Sequence, residues 1–259
     1  MSIVSNIDWT DASWNPISGC AKMSPGCANC YAIRNAKRMA GNPNKAMQAA
    51  YQGLVTGSGS NLDWNGTVRT LPDRLDEPLH WRKPRRVFVN SLSDLFHKDV
   101  PEEFIAQVFA TMEKAHWHQF QVLTKRSNRV RALSAALPWP DNVWMGVSVE
   151  NDQYMFRIDD LRATGAKVKF LSLEPLLGPL PDLNLTGIDW VIVGGESGPK
   201  ARQMQVEWAR DIRDQCVAAG VPFFFKQFGC YDENGVRVGK KKSGRLLDGL
   251  LWDEMPQQP

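Results

Sequence analysis

Six apolar, β-branched runs recur along the chain: Arg86-Val87-Phe88-Val89-Asn90-Ser91, Phe120 to Thr124, Val143 to Ser148, Val168 to Leu173, Trp190 to Val193 and Val221 to Phe225. They are mostly apolar rather than strictly alternating, so both faces of each strand need cover, which is the mark of a parallel sheet. Helical patterns lie between them. Asp99 reads as the N-cap of one helix, with Pro101 and Glu102-Glu103 in its first turn and Phe104, Ile105, Val108, Phe109 and Met112 as its apolar stripe. A second spans Tyr154 to Thr164 and is stopped by Gly165; a third, Val206 to Ala219, is stopped by Gly220. With a first strand near Ile7 to Trp14, the alternation predicts an α/β fold, a partial or near-complete (β/α) TIM-type barrel. A doubly wound open sheet is the alternative. The chain reads as a single domain over 1–259, with an insertion at about 40–80, where Gly57-Ser58-Gly59-Ser60 lies, and a C-terminal extension at about 230–259.

Each strand finishes in a polar tag. These are Asn90-Ser91-Leu92-Ser93-Asp94, Thr124-Lys125-Arg126, Ser148-Val149-Glu150, Ser172-Leu173-Glu174 and Gly194-Gly195-Glu196-Ser197, with Lys226-Gln227 after the last run. In a parallel barrel the C-terminal strand ends emerge on one face, where loops build the site. One polar tag is ordinary solvated loop; six in register are not.

Cys20, Cys27 and Cys30 fall within eleven residues, spaced C-x6-C-x2-C, in a chain with two other cysteines. The loop follows the first strand and so opens onto the same face. Three clustered thiols form one side of a metal site with an odd ligand count, and the fourth position decides the chemistry. A zinc site completed by a histidine remains open at this point. Met1-Ser2-Ile3-Val4-Ser5-Asn6 has neither a basic segment nor an apolar core, so no secretory signal is expected and the thiols belong in a reducing cytoplasm. No apolar run approaches the roughly 20 residues of a membrane helix. A net charge of +3 permits nucleic-acid binding without arguing for it.

The three-cysteine loop and the strand-end tags resemble radical S-adenosylmethionine (SAM) enzymes, in particular spore photoproduct lyase and its kin. In those, a strand ending in Thr-Lys precedes a Val-x-Val-Ser strand, an Arg-x3-Leu-Arg-x2-Gly helix and a strand entering Pro-Leu or Pro-Ile. This chain has Thr124-Lys125, Val147-Ser148, Arg157 to Arg162 with Gly165, and Glu174-Pro175-Leu176. Its whole length also resembles a phage and prophage protein family of unknown function, DUF5131, in which Trp14-Asn15-Pro16, the cysteine loop, Asn90 to His97 and Gly194-Gly195-Glu196-Ser197-Gly198 have counterparts. One departure stands out. Most radical SAM enzymes have C-x3-C-x2-C with an aromatic before the third cysteine, whereas Asn29 occupies that place here and Tyr31 follows.

The resemblance implies a barrel of the radical SAM kind and a 4Fe–4S cluster held by Cys20, Cys27 and Cys30, with SAM on the iron that lacks a protein ligand. It further implies Ser91, Ser93 and Asp94 for the SAM amine, Lys125 and Ser148 for its carboxylate, and Glu150 or Glu174 for the ribose, with Arg157 orienting one of those carboxylates. Glu196 follows a late strand and would border the adenine or the substrate; the bland reading of its two glycines is a tight turn. Lys226 ends the last strand, and Cys230 is a candidate hydrogen donor, while Cys216 falls in register with Ala209 and Ile212 as a core residue. Lys226, Glu196 and Cys230 are thus the catalytic candidates. His97 is the one histidine placed near the tags.

Arg82 to Arg86, Lys240 to Lys242 and Arg245 are candidate phosphate contacts, and Trp64, Trp81, Trp117 and Trp139 candidate base-stacking residues, though solvated charge and rim packing explain them equally well. The expected function is therefore a radical SAM isomerase or lyase acting on DNA or a nucleotide-linked substrate. A modified thymine in phage DNA, rearranged by hydrogen abstraction, is the leading substrate, and flavodoxin or ferredoxin the expected reductant. The location would be the bacterial host cytoplasm. A pyrimidine-lesion repair lyase with the same cofactors and a non-catalytic zinc-binding nucleic-acid module are the alternatives.

Overall fold

A computed structural model describes residues 3–5 and 7–257. Met1, Ser2 and Asn6 of the stretch read for a secretory signal lie outside them. Seven strands carry the fold: β1 (Ala12–Trp14), β2 (Arg86–Val89), β3 (Gln119–Thr124), β4 (Val143–Ser148), β5 (Val168–Leu173), β6 (Trp190–Gly194) and β7 (Phe223–Gln227). They hydrogen-bond in chain order, β1 to β7, with Ile3–Val4 added antiparallel outside β1. The pairs β1–β2, β2–β3, β5–β6 and β6–β7 are parallel. A doubly wound sheet reverses its strand order at a switch point. This order never reverses, and β7 does not pair back to β1 among the described residues, so the fold is a partial (β/α) TIM-type barrel.

The chain forms two compact units. The first comprises residues up to Met23, Cys30–Met145 and Thr164–Lys167; the second comprises Ser24–Asn29, Gly146–Ala163 and the chain from Val168 on.

In the first unit, Trp9 packs on Phe88 and Trp14 on Phe120, with ring centroids 4.8 and 5.8 Å apart. Helices α1 (Tyr31–Ala40) and α2 (Lys45–Tyr51) share a small core of Ile33, Ala36, Ala50, Tyr51, Leu54 and Trp64. The region read as an insertion at about 40–80 thus carries a helix and a hairpin, Val55–Thr56 with Asp63–Trp64. Trp64 and Trp81 are buried, which removes both from the candidate base-stacking residues. Helix α3 (Glu102–Lys114) buries the whole expected stripe, but its N-cap is Pro101 and Asp99 lies outside it. The next helix, α4, is Ser127–Leu133.

In the second unit every residue of β6 is buried, and Trp190 lies between Phe170 and Phe224. Beyond β7 the C-terminal stretch returns along its outer side: Phe225 N–H donates to the Trp252 carbonyl and Phe223 N–H to the Glu254 carboxylate. An otherwise bare edge strand is covered in this way. Helix α5 (Phe156–Arg162) ends before Gly165, which is not its stop. That glycine, in the first unit, is demanded by packing instead, since a Cβ there would lie 2.3 Å from the Trp139 ring. Gly220 does end α6 (Val206–Ala219), in the left-handed conformation. Cys216 is fully buried on α6, and burial pushes its thiol up to about 12, as befits a core residue.

Two tests follow from the packing. A Cβ on Gly146 would lie 2.4 Å from the buried Phe170 ring, so Gly146→Ala should cost about 1–3 kcal/mol in denaturant unfolding. His97 and His118 are both buried, and burial pushes both imidazoles below their ordinary value. The unfolded chain therefore takes up protons first as pH falls. The stability due to neutral burial is complete above about pH 6.5 and is lost below it. Replacing both histidines by glutamine should flatten the decline in melting temperature between about pH 7 and 5.

Candidate functional site

Each unit carries its own part of the candidate machinery. In the first, the chain leaves β1 through Asn15, whose Oδ1 accepts from Leu92 N–H at 3.0 Å and whose amide meets the Ser91 hydroxyl at 3.3 Å. Ser93 donates to the Ile17 carbonyl at 2.9 Å. The tag after β2 is thereby bound to the segment leading into Cys20. Gly19 adopts φ +86°, and a Cβ on it would lie 2.1 Å from the Thr67 carbonyl oxygen, so only glycine fits ahead of Cys20.

Asp94 is the centre of this part. One carboxylate oxygen accepts from Thr124 Oγ1 at 2.7 Å and Phe96 N–H at 2.9 Å; the other accepts from Arg126 at 2.7 Å and Lys125 N–H at 3.4 Å. The same arginine donates to the Ala21 carbonyl at 2.9 Å and lies 3.9 Å from Cys20 Sγ. Burial works against the Arg126 charge, but the adjoining Asp94 carboxylate and Cys20 sulfur outweigh it and hold the guanidinium above its ordinary value. Cys30 stands at the N-cap of α1, beside backbone N–H groups that favour an anionic ligand. The next residue, Tyr31, donates its hydroxyl to the Ser91 carbonyl at 2.8 Å.

Two residues of this tag retain buried hydrogen-bonding capacity. Asn90 takes φ +61°, and among the described residues its buried amide has no partner at either atom, nor has Nε2 of buried His97. Groups of this kind are places a ligand or water satisfies.

The second unit holds the middle of the cysteine loop. Residues Pro25–Cys27 form a tight turn. Ser24 donates to Glu150 at 2.6 Å and lies 3.8 Å from Cys27 Sγ, and a Cβ on Gly26 would fall 2.5 Å from the same carboxylate. Glu150 is fully buried and pairs at 3.0 Å with Arg157, which also donates to the Ser148 carbonyl at 2.7 Å and lies over the Tyr154 ring. The structure thus joins Arg157 to Glu150 rather than to Glu174, which pairs with Lys226 at 3.0 Å.

Glu196 accepts from Asn29 at 3.0 Å, from Arg202 N–H at 2.8 Å and from the Arg202 guanidinium at 2.5 and 2.8 Å. Burial alone would raise this carboxyl, but the bonds from Arg202 and Asn29 prevail and hold it below its ordinary value. Arg202 reaches on to the Pro25 carbonyl at 3.0 Å, and Asn29 to the Lys200 carbonyl at 2.8 Å. The two glycines before Glu196 serve close approach rather than a turn. A Cβ on Gly194 would lie 2.3 Å from a Glu174 oxygen, and one on Gly195 2.0 Å from the Phe228 carbonyl. Cys230 is buried, its sulfur receiving Gly198 N–H at 3.1 Å and facing the Gly198 carbonyl at 3.3 Å.

Among the described residues no three His, Cys, Asp or Glu side chains are gathered closely enough to hold a metal. The donor set nevertheless suits one. Cys20, Cys27 and Cys30 are half-buried, none forms a disulfide, and a guanidinium and a helix N-terminus adjoin two of them. Arg126, Arg202, Ser24 and Asn29 escaped assignment from sequence. Arg126 lay inside a tag already noted, and Asn29 in the departure from the cysteine pattern; Arg202 and Ser24 carry no sequence signal.

No helix among the described residues is long and apolar enough to cross a membrane. No curated protein matches the chain. Two solved structures of spore photoproduct lyase are similar to it. One is complexed with dinucleoside spore photoproduct, at 10% identity and a TM-score of 0.48. The other, a mutant with bound AdoMet and dinucleoside spore photoproduct, is at 9% identity and 0.47. Each alignment covers 83% of this chain and 63% of the lyase. Residues 4–256 match the family described as Protein of unknown function (DUF5131), and the chain belongs to that family.

Breaking a buried pair leaves its partner charged and unmatched. Glu150→Ala should therefore lower unfolding stability by about 3–5 kcal/mol, and Ser24→Ala by about 1 kcal/mol. Denaturant titration measures both, and limited proteolysis should show faster cleavage within Ser24–Asn29 in each variant.

Proposed function

We propose that this DUF5131 protein is a radical SAM enzyme acting on a nucleic-acid-linked substrate. The observation that carries the reading is the placement and anchoring of the cysteine loop. It leaves the C-terminal end of β1 in a parallel (β/α) sheet, and arginine–carboxylate pairs hold it: the buried Asp94–Arg126 in the first unit and, in the second, the buried Glu150–Arg157 together with Glu196–Arg202, in which the carboxylate alone is buried. A stretch held by two buried ion pairs and a third buried carboxylate is costly to maintain as mere connection.

Cys20, Cys27 and Cys30 would hold a 4Fe–4S cluster with one iron left for SAM. When bound, this pair supplies one-electron cleavage of SAM and hence hydrogen-atom abstraction. The protein's own residues bind and orient. Ser91 is the proposed acceptor from the SAM amine and Lys125 and Ser148 the proposed donors to its carboxylate, and Asn90 and His97 add buried donors and acceptors that no described residue uses in the first unit. Asp94, Glu150 and Glu196 are engaged by arginines, so their proposed part is to fix the loop that carries the thiols. In the second unit the Lys226–Glu174 pair and the Cys230 thiol remain candidates for handling a proton or a hydrogen atom on the substrate.

The substrate we propose is a modified thymine in DNA, changed by rearrangement or lyase chemistry, with flavodoxin or ferredoxin as electron donor. It rests on the motif resemblance. The strand-end motifs Thr124-Lys125, Val147-Ser148 and Glu174-Pro175-Leu176 support it.

Anaerobically prepared protein given SAM and dithionite should form 5′-deoxyadenosine, detected by chromatography and mass spectrometry. Cys27→Ala should lower the yield by at least about 100-fold, since loss of a ligand exceeds the 10–100-fold typical of changes behind one. Equal yields from both proteins would remove Cys27 from the chemistry.

A further inference from the structure

We infer that Arg126 is a positioning residue for Cys20, and that its charge sets how readily a cluster bound there accepts an electron. This rests on the radical SAM reading. The guanidinium is held on several sides. One nitrogen donates to Asp94 Oδ2 at 2.7 Å and points at Cys20 Sγ from 3.9 Å; another donates to the Ala21 carbonyl at 2.9 Å. Its backbone N–H donates to Thr124 Oγ1 at 2.9 Å, and that hydroxyl donates to the other Asp94 oxygen at 2.7 Å. The arginine is thus tied to β3 through its backbone and to the tag after β2 through its side chain. It has little freedom to turn from the sulfur.

Arg126 and Asp94 are 6% and 5% exposed, so water screens this charge weakly. Hydrogen bonds to the sulfurs, net charge and burial are what set the reduction potential of an iron–sulfur cluster. Reduction adds one negative charge to the cluster. A cation fixed beside one of its thiolate ligands stabilises the reduced form and raises the potential. An arginine serving only to neutralise Asp94 would leave the potential alone. The two roles therefore differ in a measurable quantity.

The test is a redox titration of the full-length, cluster-loaded protein without SAM, followed by electron paramagnetic resonance, with dithionite as reductant. Arg126→Gln should lower the midpoint potential by the equivalent of a tenfold change in the reduced-to-oxidised ratio, about 59 mV for one electron. Arg126→Lys keeps the charge and should remain near the wild-type value. Because Arg126→Gln leaves Asp94 as a buried unmatched charge, Asp94→Asn/Arg126→Gln is the second variant, and it should shift in the same direction. Loaded variants at the wild-type potential would overturn the role of Arg126 alone. Wild-type protein that takes up no iron or sulfide would overturn this inference together with the radical SAM reading, so the two failures are distinct.

Discussion

A loop that must present three thiols cannot be stabilised by a hydrogen-bonded ladder, because only short turns within it are regular. Buried carboxylates supply what the backbone lacks. Asp94 follows β2, Glu150 follows β4 and Glu196 follows β6, and each is matched by an arginine. From these pairs the loop receives contacts at Cys20 and Ala21, at Ser24, and at Pro25 and Asn29. Removing one member of such a pair leaves a buried charge, which is why the anchoring is strong and the residue choice narrow.

The same interactions separate two tasks that acidic residues at strand ends perform. A carboxylate that accepts from an arginine, a hydroxyl and backbone N–H groups has few lone pairs left for a ligand. Asp94 is in that state, Glu196 is likewise filled by the Arg202 guanidinium and N–H and the Asn29 amide, and Glu150 is shared between Ser24 and Arg157. Asn90 and His97 are in the opposite state, buried with polar atoms that no described residue satisfies. We accordingly propose ligand contact for the amide and the imidazole, and anchoring for the carboxylates.

The sheet was legible in the sequence because strands buried on both faces are apolar without interruption, as β4 and β6 show. The stripe of α3 and the glycine after α6 were legible for local reasons, periodicity and a left-handed cap. The cap of α3 and the end of α5 were not, since packing decided both. The 40–80 region read only as an insertion around its Gly-Ser run, yet its apolar residues form a core with α1. Polar tags announced residue types but not partners. Ser24 meets Glu150 across 126 positions and Arg126 meets Cys20 across 106, separations that no periodic pattern encodes.

On the proposed radical SAM function, Cys20, Cys27 and Cys30 hold iron and sulfide rather than zinc. Metal and acid-labile sulfide analysis of the anaerobically isolated full chain tests it most directly. About four irons and four sulfides per chain are expected, as a 4Fe–4S cluster requires. A colourless protein with one zinc and no sulfide would contradict it.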